Sequence, residues 1–154
     1  MFIGDWLARG ARDFPDRLAV VDADSGGAAG LRLSYRALNE RADRLAHWLR
    51  GRGVGRGDRV GLLDFNGVAY LDAFFACGKL GAVFVPYNFR LHPRELGALL
   101  DDTAPRVLFF GAEFAATVTQ VATERPAIGL QELGAPYESA LAAAPAGPVT
   151  TEGV

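Results

Sequence analysis

The sequence predicts an α/β fold in which helices cover both faces of a mostly parallel sheet. Three short apolar runs, at residues 60–63, 83–86 and 106–110, have the length and continuous hydrophobicity of strands buried on both faces. Stretches with the helical spacing of apolar residues separate them. Because strand, helix and strand join by a right-handed crossover, the three runs are expected to be neighbouring parallel strands in a three-layer arrangement.

Composition limits the kinds of protein that this chain can be. It has 154 residues, of which 50% are hydrophobic, so it can bury a core of its own as one domain. The net charge of −2 is spread along the sequence, which gives no basic face for nucleic acid. No apolar run approaches the roughly 18–20 residues of a membrane-spanning helix. The single cysteine, Cys77, and a first stretch without a basic leader predict a cytoplasmic protein without a signal peptide.

The first elements are a helix and a hairpin. Residues 2–14 have the spacing of an amphipathic helix, which Pro15 ends. Residues 18–21 and 31–33 are predicted strands, and the polar, glycine-rich stretch between them predicts that they pair as a hairpin.

Ser34 is a good N-cap for the second helix, which is expected to run to about Arg50. Its buried face is predicted to contain Leu38, Ala42, Leu45, Ala46 and Leu49. Residues 51–57 are rich in glycine but lack the Lys and Ser/Thr of a phosphate-binding loop. They also follow a helix instead of preceding one, so they are interpreted as a connector.

The middle of the chain continues the alternation. Asn66 is expected to cap a helix at 67–80 that is apolar on nearly every side, and residues 82–86 are expected to form a fully buried strand. Pro93 and Glu95 mark the first turn of the following helix.

The last third predicts a helix at 113–123 and a strand at 127–130. Residues 134–154 are rich in Ala, Pro, Gly and Thr, which predicts a loosely structured tail. The folded domain is then expected to span residues 1–133.

Few residues have the pattern of a chemical site. Cys77 lies in an apolar helical pattern and is interpreted as a buried hydrophobic residue instead of a reactive thiol. Lys79, the only lysine, lies late in a helix, where a cation suits the helix dipole. His47 and His92 have no ligand partner at helical spacing, so no metal site is expected.

Four segments define a family resemblance. Residues 77–91 read C-G-K-L-G-A-V-F-V-P-Y-N-F-R-L, with L-S-Y-R-A-L at 33–38, G-D-R-V at 57–60 and P-R-E-L at 93–96. In this order they resemble the amino-terminal part of adenylate-forming enzymes, especially acyl-CoA synthetases. The resemblance extends over roughly residues 2–110, and it implies the N-terminal subdomain of the acyl-CoA synthetase-like fold.

The resemblance implies an enzyme that joins a carboxylic acid to AMP, using ATP and Mg²⁺, and then transfers the acyl group to CoA. The family's Ser/Thr/Gly-rich phosphate loop, which ends in Pro-Lys-Gly, and its C-terminal lid have no counterpart in this sequence. The chain alone is therefore expected to be a catalytically incomplete fragment that binds no cofactor by itself and holds no catalytic residue.

The turn after residues 82–86 is the candidate binding site. The resemblance implies that it borders the acyl pocket and the nucleotide region, with Asn88 and Arg90 as the binding residues for CoA or the acyl group. Arg90 offers a planar guanidinium to a carboxylate or a phosphate. The alternative is an arginine that bonds the carbonyls of its own loop.

The sequence leaves two functions open besides the enzyme fragment, a binding or assembly module and a small ligand binder. The chain is either a fragment of the enzyme or a non-catalytic, stand-alone truncated domain that acts as a binding or assembly module. A small flavodoxin-like ligand binder has the right topology but also needs a phosphate loop. Because an uncovered sheet edge and apolar helix favour association, we expect a homo-oligomer, most simply a dimer. A monomer whose residues 134–154 fold back over the gap is the competing expectation.

Overall fold

The computed structural model describes residues 3–23 and 30–149 of the chain. A short 3₁₀ turn, Ala112–Phe114, precedes the fifth helix. The elements follow in the order α1 (Ile3–Asp13), β1 (Leu18–Asp22), β2 (Leu31–Ser34), α2 (Tyr35–Gly51), β3 (Arg59–Leu63), α3 (Val68–Leu80), β4 (Val83–Pro86), α4 (Pro93–Thr103), β5 (Val107–Phe110), α5 (Ala115–Ala122), β6 (Gly129–Glu132) and α6 (Ala135–Ala143).

The main sheet has four parallel strands in the order β4-β3-β5-β6. Leu62 of β3 pairs with Pro86 on one side and with Phe109 on the other, so the three predicted runs are neighbouring parallel strands, as expected. One apolar core lies between the sheet and α2, α3 and α6, and a second lies between the sheet and α4 and α5. The predicted three-layer α/β fold is confirmed.

The amino-terminal elements form a small separate layer. β1 and β2 pair in antiparallel fashion, which confirms the predicted hairpin; residues 24–29 of its loop lie outside the described residues. Leu7 of α1 is buried with Leu38 and Ala42 of α2. This third apolar cluster joins α1 and the hairpin to the helical layer of the main sheet.

The helix caps agree with the sequence in two cases and differ in one. Ser34 Oγ accepts a hydrogen bond from the Ala37 amide at 3.2 Å, as predicted. Glu95 accepts from the His92 amide at 2.8 Å at the start of α4. The prediction that Asn66 caps α3 is wrong, because the carboxylate of Asp22 in β1 accepts from the Val68 amide at 3.0 Å. Sequence spacing could not reveal a cap that comes from a distant strand.

β4 lies at one edge of the main sheet, so the prediction of a fully buried strand at 82–86 is wrong. Val83 is 48% exposed and Pro86 is also exposed. The amides of Val83 and Tyr87 donate to carbonyls of the β3 side, at Asp58 and Leu62. No strand of the described chain lies on the outer side of β4. The apolar run reflects partial packing on both faces of the sheet, with Phe84 against the core that contains α3 and Val85 against the core that contains α4, while the outer edge of the strand is open.

The prediction of a loose tail at 134–154 is wrong for residues 135–143, which form α6. Tyr137 and Leu141 are each 3% exposed and belong to the core beneath α2 and α3. The prediction rested on the many alanines and glycines of this stretch. The helix instead depends on two large apolar side chains, which are spaced four residues apart and lie on one face. Residues 150–154 lie outside the described part, and the division of the chain at residue 133 stays a prediction. The last strand starts at Gly129, two residues later than predicted.

Cys77 lies in α3 and is 1% exposed, which confirms that it is a buried residue. Burial raises the pKa of its thiol to about 12. At pH 8 a free thiol has a substantial thiolate fraction, and this shift lowers that fraction by roughly three orders of magnitude. We expect a chromogenic disulfide reagent to leave the folded protein unmodified over an hour and to label one thiol promptly in urea. Rapid labelling of the folded chain would contradict the buried position.

Lys79, whose expected place late in a helix is confirmed, also has an ionic partner on another helix. Its ammonium lies 2.8 Å from a carboxylate oxygen of Asp43 and donates to the Asn39 side chain at 2.9 Å. Both charged side chains are nearly buried between α2 and α3. This pair fixes the two helices against each other, a contact that spacing within one helix could not predict.

Candidate functional site

The carboxyl edge of the main sheet is the candidate site, because open parallel sheets bind ligands where the strand order reverses. The chain passes from β3 to β4 on one side and then returns across β3 to β5, so the reversal lies between β3 and β5. The loops after these strands, residues 64–67 and 111–114, therefore flank the crevice. The glycine-rich connector at 51–57 precedes β3 and lies at the opposite edge.

Asp64 lies in this crevice at the end of β3. Its carboxylate packs directly on Gly111 after β5, and a Cβ added to Gly111 would overlap it. Burial raises the pKa of Asp64; the Phe65 amide partly offsets this effect, and the nearby Glu113 adds to it. The Asp64 backbone carbonyl accepts from the Tyr70 hydroxyl at 2.9 Å. The glycine thus lets the two loops close around a carboxyl group.

Three phenylalanines, two of them exposed, form an aromatic platform beside the crevice. Phe65 contacts Phe89 with ring centroids 4.7 Å apart and Phe114 with centroids 5.4 Å apart. Phe65 is 47% exposed and Phe89 is 37% exposed. Sequence analysis missed this platform because the rings come from three separate loops. The sequence does contain one indication of the platform, which is a phenylalanine soon after each of three neighbouring strands.

Asn88 and Arg90, the two predicted site residues, lie in the loop beside the platform. The Asn88 side chain accepts from the Arg90 amide at 3.0 Å, which shapes the turn. The Arg90 guanidinium lies 5.3 Å from the Phe89 ring centroid and is exposed. Tyr87 points the other way, and its hydroxyl lies 2.6 Å from Thr103 Oγ1, which anchors the loop to α4. The structure therefore brings Asn88, Arg90 and the platform together.

The described residues contain neither a metal-binding cluster nor a membrane-spanning helix. No group of three or more His, Cys, Asp or Glu side chains there could hold a metal ion. No helix in the same ranges is long and apolar enough to cross a membrane.

The sequence matches a family model described as AMP-binding enzyme over residues 7–148. Together with the four-stranded parallel sheet and its flanking helices, this match shows that the chain belongs to the AMP-binding enzyme family. Individual relatives within this family are named as CoA synthases and ligases. The chain is 46% identical over 123 residues to a feruloyl-CoA synthase of Amycolatopsis sp, which covers 80% of this chain and 24% of that protein.

Another relative is named for a different acid. A long-chain-fatty-acid–CoA ligase, FadD13 of Mycobacterium tuberculosis, is 34% identical over 116 residues, which is 75% of this chain and 22% of that protein. The inhibitor-bound N-terminal domain of FACL13 from Mycobacterium tuberculosis superposes with a TM-score of 0.89 at 29% identity, covering 98% of this chain and 38% of that one. The chain thus spans about a quarter of the length of the curated relatives that it matches.

Proposed function

We propose that this chain is the amino-terminal part of an ATP-dependent acid–CoA ligase of the cytoplasm. In the first step a carboxylate oxygen would attack the α-phosphorus of ATP, giving acyl-AMP and pyrophosphate. In the second the CoA thiol would attack the acyl carbonyl and AMP would leave. The observation that supports this function most is the family match over residues 7–148, joined to relatives that are named as CoA synthases and ligases.

Mg²⁺ would neutralise phosphate charge in the first step. The described residues do not fit a site for it, because they include no cluster of metal-ligating side chains. We therefore assign the metal and the phosphate loop to parts of the ligase that this sequence does not contain, and we expect this chain alone to bind no cofactor.

Within that ligase, the proposed task of this chain is to present the carboxyl edge of its sheet. Arg90 is held by a turn that Asn88 shapes, and its guanidinium is exposed beside the aromatic platform. The described chain contains no hydrogen bond from this guanidinium to a carbonyl of its own loop, which favours the ligand role over the alternative. A phosphate of CoA or the carboxylate of the acid would bind there through a planar fork of donors.

A second candidate function is a non-catalytic binding or assembly module. One observation favours it: the described residues close two apolar cores on the main sheet without further chain. In that case the exposed Phe74 and the neighbouring Phe84, beside the β4 edge, offer an apolar surface for a homodimer. Sedimentation of the purified chain at micromolar concentration tests association, and a single monomeric species would count against the dimer.

A chimera tests the ligase function. This chain would replace the corresponding amino-terminal segment of the Amycolatopsis feruloyl-CoA synthase. We expect ATP–pyrophosphate exchange in the chimera with an acid panel that includes ferulate and a long-chain fatty acid, and none with this chain alone. Exchange by the chain alone would contradict the fragment interpretation. A chimera that folds and binds ATP but activates no acid would contradict the ligase proposal.

Arg90→Ala in this chimera tests the binding residue. Losing a charge-assisted hydrogen bond to phosphate is expected to raise the KM for CoA about tenfold and to leave ATP–pyrophosphate exchange unchanged. Arg94→Ala, which removes a neighbouring exposed arginine, is the matched control and should change neither value. A rise in the KM for the acid instead would assign Arg90 to the carboxylate, and no change in either KM would remove it from the site.

A further inference from the structure

Residues 134–149, here called the strap, lie along one face of α2. Three α2 side chains at a spacing of three residues contact it in order: Arg41 contacts Glu138, Arg44 contacts Ala142 and Ala144, and His47 contacts Gly147. Residues three apart lie close together on a helix surface. The strap therefore follows a polar strip of α2 from residue 138 to residue 147.

Arg41 bonds two acids that belong to different parts of the fold. Its Nη2 donates to Asp72 of α3 at 2.8 Å and to Glu138 of the strap at 2.7 Å. Its Nη1 donates to the second Glu138 oxygen at 2.8 Å. Asp72 is fully buried, whereas the Glu138 side chain is 51% exposed. Water can replace the Glu138 contact but cannot reach the Asp72 contact.

The rest of the strap is held by side chains instead of by a backbone ladder. Tyr137 and Leu141 of the strap are buried in the core, and the Tyr137 hydroxyl donates to Asp72 at 2.9 Å. Arg44 Nη1 donates to the carbonyls of Ala142 at 3.1 Å and Ala144 at 2.7 Å. His47 Nε2 lies 3.0 Å from the Gly147 carbonyl, which requires the tautomer with the proton on Nε2. Beneath the strap, the Tyr137 ring packs on Phe109 with centroids 5.8 Å apart.

The helix of the strap depends on its contacts with the rest of the domain. α6 has nine residues, too few for a helix to persist in water once it leaves its docking surface. Loss of docking should therefore melt the strap as one cooperative unit, while the parallel strands keep their own ladder.

We propose that the strap is a salt-sensitive latch, which opens as a unit while the sheet stays folded. Arg41 is the fixed half of the latch, because Asp72 holds it from inside the core. Glu138 is the releasable half. Opening uncovers Phe109 and the α2 surface around it, so the latch controls access to an apolar face of the domain.

Hydrogen exchange of the full chain, read by mass spectrometry, tests the latch. Glu138→Gln keeps the size of the side chain, leaves Arg41 on Asp72 and does not threaten folding. Removing one exposed ionic contact is expected to speed amide exchange in residues 138–144 by about 1.5–5-fold. Exchange in residues 60–63 and 107–110 should not change. Glu40→Gln, at an exposed position of α2, is the matched control and should leave all segments as they are.

Salt gives a second measurement on the same variants. Raising NaCl from about 0.05 to about 0.5 M screens exposed charges, so exchange of the strap should rise in the parent chain and rise less in Glu138→Gln. Equal acceleration of every segment in Glu138→Gln would show that the strap unfolds only with the whole domain, and it would overturn the proposal. Unchanged exchange of the strap in that variant would overturn it as well.

Discussion

Replacing Arg41 by methionine is expected to lower the free energy of unfolding by about 3–5 kcal/mol at pH 7, because it leaves a buried charge without its partner. Asp72 is 0% exposed and accepts from Arg41 Nε and Nη2 and from the Tyr137 hydroxyl. Methionine keeps the aliphatic part of the side chain but has no group that can donate a hydrogen bond. Urea denaturation of the purified chain measures the change. A loss below about 1 kcal/mol would contradict the role of this pair.

The loss should shrink as the pH falls. Burial raises the pKa of Asp72, and Arg41 and the Tyr137 hydroxyl work against that effect, so the variant carboxyl should have a still higher pKa. A carboxyl with a higher pKa in the folded state binds more protons there than in the unfolded chain. The free energy of unfolding therefore rises as the pH falls toward roughly 3.9, which is the pKa of an Asp carboxyl in the unfolded chain. The deficit of Arg41→Met should therefore be smaller at pH 5 than at pH 7.

Two variants control for the loss of charge. Arg36→Met breaks an exposed ion pair with Asp16 and is expected to change the free energy by less than about 1 kcal/mol. The double variant Arg41→Met/Asp72→Asn removes the uncompensated charge, so it should recover part of the lost stability.

Truncating Phe109 to alanine is expected to lower the free energy of unfolding by about 3–5 kcal/mol, since it opens a cavity in the core between the sheet and α2, α3 and α6. Phe109 is 1% exposed in β5, and its ring packs on Trp48 at 5.5 Å and on Tyr137 at 5.8 Å between centroids. These contacts join the central sheet to α2 and to α6. Chemical denaturation with fluorescence detection measures the effect.

Conservative and exposed substitutions define the control for this prediction. Phe109→Leu keeps most of the buried volume and should cost clearly less than alanine. Leu130→Ala on β6 removes an apolar side chain that is 44% exposed, and it should change the free energy by less than about 1 kcal/mol. A similar loss for Phe109→Ala and Leu130→Ala would contradict the assigned core.

The sequence was sufficient for the order of elements and for the parallel sheet. Apolar runs of strand length and helical spacing between them reflect local packing needs, so residues 60–63, 83–86 and 106–110 could be assigned as neighbours. Ser34 could be assigned as a cap because its partner amide lies three residues away. What these successes share is that the physical cause lies within one element or one crossover.

The remaining features depend on contacts between distant parts of the chain. The cap of α3 is Asp22, the partner of Lys79 is Asp43, and the partners of Arg41 come from α3 and α6. None of these pairs has a spacing that a helix or a strand would impose. The position of β4 at an edge has the same origin, because an apolar run does not show how many neighbours the strand has.

The candidate site could be predicted in part. Asn88 and Arg90 were found through a motif, and the structure places them at the carboxyl edge; their role in binding stays a prediction. The aromatic platform could not be found, because Phe65, Phe89 and Phe114 meet only when three loops converge.

Pro86 at the outer edge of β4 limits how identical chains can stack. The amides of Val83 and Tyr87 point toward β3, so the alternate positions 84 and 86 face outward. A proline has no N–H, which leaves Phe84 as the one outward amide donor of this strand. An incoming strand would gain too few backbone hydrogen bonds to extend the sheet, although the side chains there are apolar. We therefore expect concentrated solutions of the folded domain to resist fibril growth from this edge. Pro86 disfavours such growth because it cannot donate a backbone hydrogen bond to an added strand.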